Sequence, residues 1–83
     1  MDKQIRIKKI IYRAVHRGCK ETDYLLGNFF EASRDNIAEL GLDICENLLA
    51  EDDVMIYDWI INKEVTPVNY VDIIKKIQKF HGF

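Results

Sequence analysis

Cysteine is scarce in this chain: Cys19 and Cys45 are the only two among 83 residues. Two thiols so far apart make neither a disulfide scaffold nor the CxxC spacing of redox and zinc sites, so both are expected as reduced thiols of a cytosol-like compartment. Glycine and proline are also sparse, at four and one. Gly18, Gly27, Gly41 and Gly82 stand alone, so no GxGxxG or Walker loop exists to cradle a phosphate. No apolar run approaches the roughly 18 residues needed to cross a bilayer, and no membrane partner is expected. Arg6, Lys8, Lys9 and Arg13 interrupt every stretch that could act as a signal-peptide core, so the mature chain is expected to start at Met1 in a bacterial cytoplasm. His16 and His81 lie at opposite ends without an HExxH context, and no nucleophile sits beside a base. Neither a metal site nor a catalytic residue is expected.

What remains is a globular composition, 48% hydrophobic and 31% charged. The length fits one domain, residues 1–83, which can bury only roughly 60 to 65% of its unfolded surface, leaving little room for a deep substrate cavity. A net charge of -2 conceals an asymmetry. Residues 1–20 carry Lys3, Arg6, Lys8, Lys9, Arg13, Arg17 and Lys20 against Asp2 alone, whereas the rest of the chain is acidic.

Hydrophobic periodicity predicts five helices. Ile7, Ile11, Ala14 and Val15 mark the first, over about residues 4–16; Gly18 fits a C-terminal residue at positive φ, with Arg13, His16 and Arg17 opposing the negative end of the dipole. Glu21 and Asp23 open a second helix to Ala32, with Leu25, Leu26, Phe29 and Phe30 on its apolar stripe. A loop over residues 33–37 precedes a third helix through Leu40, Ile44, Leu48 and Leu49, weakened by Gly41. Asp52 or Asp53 caps a fourth, reaching about Asn62. After Pro67, Asn69 and Asp72 fit a capping pair for a fifth helix ending near Gly82. The expected fold is all-α, a compact five-helix bundle. Trp59, Tyr57, Phe29, Phe30 and Phe80, at helical spacing, fit its core rather than a ligand cage.

The segment Arg17-Gly18-Cys19-Lys20-Glu21-Thr22-Asp23 gathers a cation, a glycine and two carboxylates at a helix junction. A capped turn with local ion pairs explains it as well as a corner that a partner backbone could approach at Gly18. The basic first helix suggests an alternative, an adaptor for nucleic acid or an anionic membrane surface, but the acidic remainder opposes such binding and no nucleic-acid partner is expected.

Read from Lys9 to Phe30, the chain resembles the RGxxExD signature and following LLGxF segment of the SdhE-type succinate dehydrogenase assembly factors, and the resemblance continues through Leu48-Leu49, Asp53, Tyr57, Trp59-Ile60 and Pro67. It implies a compact five-helix bundle that promotes covalent FAD attachment to a histidine of the flavoprotein subunit of succinate dehydrogenase, and in some bacteria of fumarate reductase. Such a factor is a chaperone, not an enzyme: it binds no cofactor tightly itself, acts on FAD attachment to its client, and is a monomer when free. Partner-binding residues are expected at Arg17, Gly18, Glu21 and Asp23, with Arg13, His16 and Asp53 beside them. An elbow sealed within its own bundle, with Arg17 and Glu21 both consumed by internal pairing, would remove the basis for docking.

Overall fold

The computed structural model describes residues 2–62 and 64–83, whose regular structure is all helix with no strand. Helix α1 runs Lys3–Val15 and starts where the Asp2 carboxylate accepts the Gln4 N–H at 3.2 Å. Helix α2 spans Lys20–Ala32, with Glu21 and Asp23 in its first turn. A 3-10 turn at Arg34–Asn36 leads into the single-turn α3, Ile37–Leu40. Helix α4 follows at Leu42–Leu49, α5 at Asp53–Ile60, and a second 3-10 turn, Val68–Tyr70, enters α6 at Val71–His81.

The expected third helix is therefore two. Gly41 adopts φ 102°, ψ 114°, a region open to glycine and strained for other residues, so it ends α3 and begins α4 instead of passing through a continuous helix. The Asn69 and Asp72 capping pair does not form either. The chain leaves Pro67 as a 3-10 turn, with the Tyr70 N–H on the Pro67 carbonyl at 2.9 Å. Tyr70 stands at the N-cap already near helical geometry, so no side-chain cap is engaged.

Helices α1 and α2 pack most extensively. Ala14 is fully buried at their crossing, and a Cβ on Gly27 would meet Val15 Cγ1 at 3.2 Å, so the absent side chain lets the two axes approach. The core continues through Leu25, Leu26, Phe29, Phe30, Leu48, Leu49, Ile56, Trp59, Ile60, Ile73, Ile74 and Ile77. Phe29, Phe30 and Trp59 are core as expected, but Phe80 is exposed at the rim, edge-on to Phe29 at 5.7 Å, and Tyr57 is only half-buried. Arg6 ties α1 to α4 through Asp43 and Glu46, both at 2.6 Å. Gln78 Nε2 caps the C-terminus of α5 by donating to the carbonyls of Trp59 and Ile60. No described helix is long and apolar enough to cross a membrane.

Candidate functional site

The junction between α1 and α2 is held by its own side chains. Helix α1 ends with His16 at φ -124°, and Gly18 is not at positive φ; among the described glycines only Gly41 and Gly82 are. The expected glycine cap is replaced by polar contacts. The Arg17 N–H donates to the Asp23 carboxylate, and Thr22 Oγ1 donates to the Cys19 carbonyl at 3.1 Å, so the first turn of α2 reaches back to fix the loop before it.

Arg17 reaches away from the loop. Its Nε donates to Asp53 Oδ1 at 2.7 Å, Nη1 to the Leu49 carbonyl, and Nη2 to the Glu51 carbonyl at 2.8 Å. The guanidinium thus caps the C-terminus of α4, where carbonyls lack helical partners and the dipole is negative, while its carboxylate partner occupies the first turn of α5. Its side chain is 11% exposed and that of Asp53 22%. Glu51 extends the network by accepting from Tyr70 Oη at 2.7 Å.

The seven expected site residues therefore divide. Arg17, Asp23 and Asp53 direct polar atoms inward and join three helices. Gly18, Glu21, Arg13 and His16 are exposed. Gly18 is open, since a Cβ there would find only Asp53 Oδ2, at 3.9 Å. Glu21 accepts from Cys19 Sγ at 3.0 Å, and that hydrogen bond holds its pKa below the ordinary carboxylate value. His16 stacks on Tyr12 at 4.0 Å and donates Nδ1–H to the Tyr12 carbonyl. Of the pair whose joint consumption would have closed the elbow, Arg17 is engaged internally and Glu21 faces out.

Two clefts flank Glu21. One, of about 260 Å³, is lined by Cys19, Glu21, Asp53, Val54 and Tyr57. The other, of about 440 Å³, is lined by Lys20, Glu21, Tyr24, Leu25, Tyr57, Ile61 and Phe83. Sequence reasoning missed Tyr24, Val54 and Phe83, which are 63%, 68% and 54% exposed. The usable signal was Tyr24, which sits one position off the apolar stripe of α2. On α1, Ile5, Lys8, Lys9, Tyr12 and Arg13 form a separate, basic outward face.

A family model described as flavinator of succinate dehydrogenase matches residues 8–81, taking in the elbow, the smaller cleft, the larger cleft except Phe83, and each described helix in part or whole. The chain belongs to that family. Among its relatives, an FAD assembly factor SdhE of Acetobacter pasteurianus is 37% identical over 62 residues, 75% of this chain and 57% of that protein. The FAD assembly factor SdhE of Coxiella burnetii is 33% identical over 81 residues, covering 95% of this chain and 96% of its own. A mitochondrial succinate dehydrogenase assembly factor 2 of Dictyostelium discoideum is 31% identical over 74 residues, 89% of this chain and 52% of its own. The chain thus spans a little over half the length of the first and third of these relatives and nearly all of the second. No solved structure matches it.

Proposed function

We propose that this chain binds the flavoprotein subunit of succinate dehydrogenase and promotes covalent attachment of FAD to it, acting as a chaperone with no catalytic group of its own. One observation carries the reading within the family: an elbow that is rigid inside and open outside. Arg17 locks the loop to α4 and α5, while Gly18 and Glu21 face solvent on that fixed base. A client backbone can approach Gly18 closely, and the Glu21 carboxylate can accept charge-assisted hydrogen bonds from client donors. Because the elbow is held by internal contacts, little ordering entropy is lost on docking. Differential affinity for a closed arrangement of the flavoprotein shifts its population toward the state in which its own chemistry joins flavin to protein.

FAD is accordingly the client's substrate and not a ligand of this chain. A dinucleotide pyrophosphate at the elbow would face the carboxylates of Glu21 and Asp53, which repel it.

The test is Gly18→Val. The open space at this position and its ordinary φ let the variant fold, so its circular dichroism and melting should match wild type. Capture of the flavoprotein and the covalent flavin fluorescence of that subunit in a denaturing gel should both fall. A folded variant that retains both rejects the docking role of the elbow.

A further inference from the structure

The two clefts beside the elbow share Glu21 and Tyr57 and differ in chemistry. The smaller is acidic. Asp53 spends Oδ1 on Arg17 and turns Oδ2 toward Gly18, while Glu21 accepts from the Cys19 thiol beside Lys20, so two carboxylates border one space. The larger is mainly aromatic and aliphatic, with Lys20 and Glu21 at its edge: buried Leu25 makes its floor, Tyr57 and Ile61 one wall, and Tyr24 and Phe83 its exposed rim.

That rim is braced. His81 Nε2 lies 2.8 Å from the Leu25 carbonyl, which can only accept, so the nitrogen donates and pins the end of α6 to α2. The His81 ring also lies 5.5 Å from Tyr24 and stacks on Phe83 at 5.9 Å. Three aromatic side chains thus stand around an open apolar space on a supported frame, at a cost in exposed apolar surface that the fold itself does not require.

Resting on the docking role of the elbow, we infer that the paired clefts form one slot for a client segment bearing a Lys or Arg next to a bulky apolar side chain. The cation enters between Glu21 and Asp53, and the apolar side chain fills the space among Tyr24, Tyr57 and Phe83. Charge complementarity selects this occupant, because an acidic segment brings a like charge to the two carboxylates and a purely apolar one offers no donor to the oxygens that Arg17 and Cys19 leave free. A second copy of this chain carries comparable chemistry on α1, in Ile5, Lys8 and Tyr12. A slot-to-α1 contact between copies would be head-to-tail and would propagate into open chains unless its rotation closed a ring, which favours the client as occupant.

The experiment places a photo-crosslinking benzoyl-phenylalanine at Tyr24 or Tyr57 in the full chain and irradiates it with the purified flavoprotein subunit from a strain lacking this protein. Both positions should crosslink to one client segment, with a Lys or Arg within about one helical turn of a Leu, Met or Phe. Glu21→Gln and Tyr24→Ser, both at exposed positions and so expected to fold, should each raise the dissociation constant about tenfold, the order of effect of a central interface side chain. For Glu21→Gln the salt dependence of binding should weaken as well. Crosslinks to a second copy of this chain overturn the assignment. Silence at both probes while Gly18→Val still abolishes capture also overturns it, yet leaves the elbow's docking role standing. Failure of the wild-type chain to capture the flavoprotein removes both.

Discussion

Arg17 supports a quantitative test of how the elbow is built. Replacing it with Ala deletes three side-chain hydrogen bonds, to Asp53, Leu49 and Glu51, and leaves Asp53 without its cation. Losing one partner of a buried ion pair costs about 3–5 kcal/mol. Asp53 is 22% exposed, so water recovers part of this, and the truncated side chain leaves space to hydrate the two carbonyls. The expected net loss is about 2–4 kcal/mol, in line with charge-assisted hydrogen bonds worth about 1.5–3 kcal/mol each before such recovery. A domain of this size has roughly 4–12 kcal/mol in total, so the loss removes a substantial share of it.

Urea unfolding followed by circular dichroism measures this directly. The midpoint should fall with the slope unchanged, and melting should drop by about 10–25 °C. Arg17→Lys tests geometry apart from charge: a single ammonium cannot span Asp53 and both carbonyls, so about half the loss should persist. A double-mutant cycle with Asp53→Ala should return a coupling of about 1–2 kcal/mol. Arg17→Ala within about 0.5 kcal/mol of wild type, or a cycle without coupling, would refute the clamp.

Other perturbations probe the fold elsewhere. Gly41→Ala forces a side chain into φ 102° and should cost about 1–3 kcal/mol in a thermal melt, whereas a neutral result would mean that α3 and α4 can join as one helix. Burial pushes the Cys45 thiol up to about 12, so a disulfide-exchange reagent at pH 8 should titrate Cys19 alone in the folded chain and both thiols in urea. The hydrogen bond from Arg6 lowers the Glu46 pKa from its ordinary 4.5, so the stability it supplies is present above that value and is lost as pH falls through the lower folded-state pKa. Arg6→Gln should flatten that acid-side loss, and salt should shrink it in wild type because the pair is partly exposed.

The helices were legible because burial leaves a periodic trace. The first, predicted over residues 4–16, is Lys3–Val15, and the second, predicted from Glu21 to Ala32, is Lys20–Ala32. The break at Gly41 was not legible as a break. Leu40, Ile44 and Leu48 keep a four-residue spacing across it, and such spacing reports which side faces the core, not whether the backbone between is continuous. The missing cap at Asn69 has a similar cause, since the residue types were right for a cap but the 3-10 entry after Pro67 had already supplied the turn. Tyr24 and Phe83 escaped notice because neither belongs to an apolar stripe: Tyr24 lies beside that of α2, and Phe83 follows the Gly82 that ends α6. The elbow stood out from its residue types alone, with a capped turn and a docking corner equally good readings, and the family resemblance is what favoured docking.

Arg17 shows why the direction of a side chain escapes a sequence. A cation beside glycine in a polar turn reads as exposed, and two of its three acceptors are backbone carbonyls, 32 and 34 residues away, which no side-chain pattern advertises. Under the proposed docking role, the motif divides its work between two pairs. Arg17 and Asp23 turn inward and set the position of the loop, while Gly18 and Glu21, one and four residues after Arg17, turn outward and present it. Damage to the first pair should lower stability and client binding together, whereas damage to the second should lower binding in a protein that melts normally. A motif whose residues were all contacts would show binding loss alone at every position, so the separation between the two pairs is what distinguishes a braced docking surface from a simple contact patch.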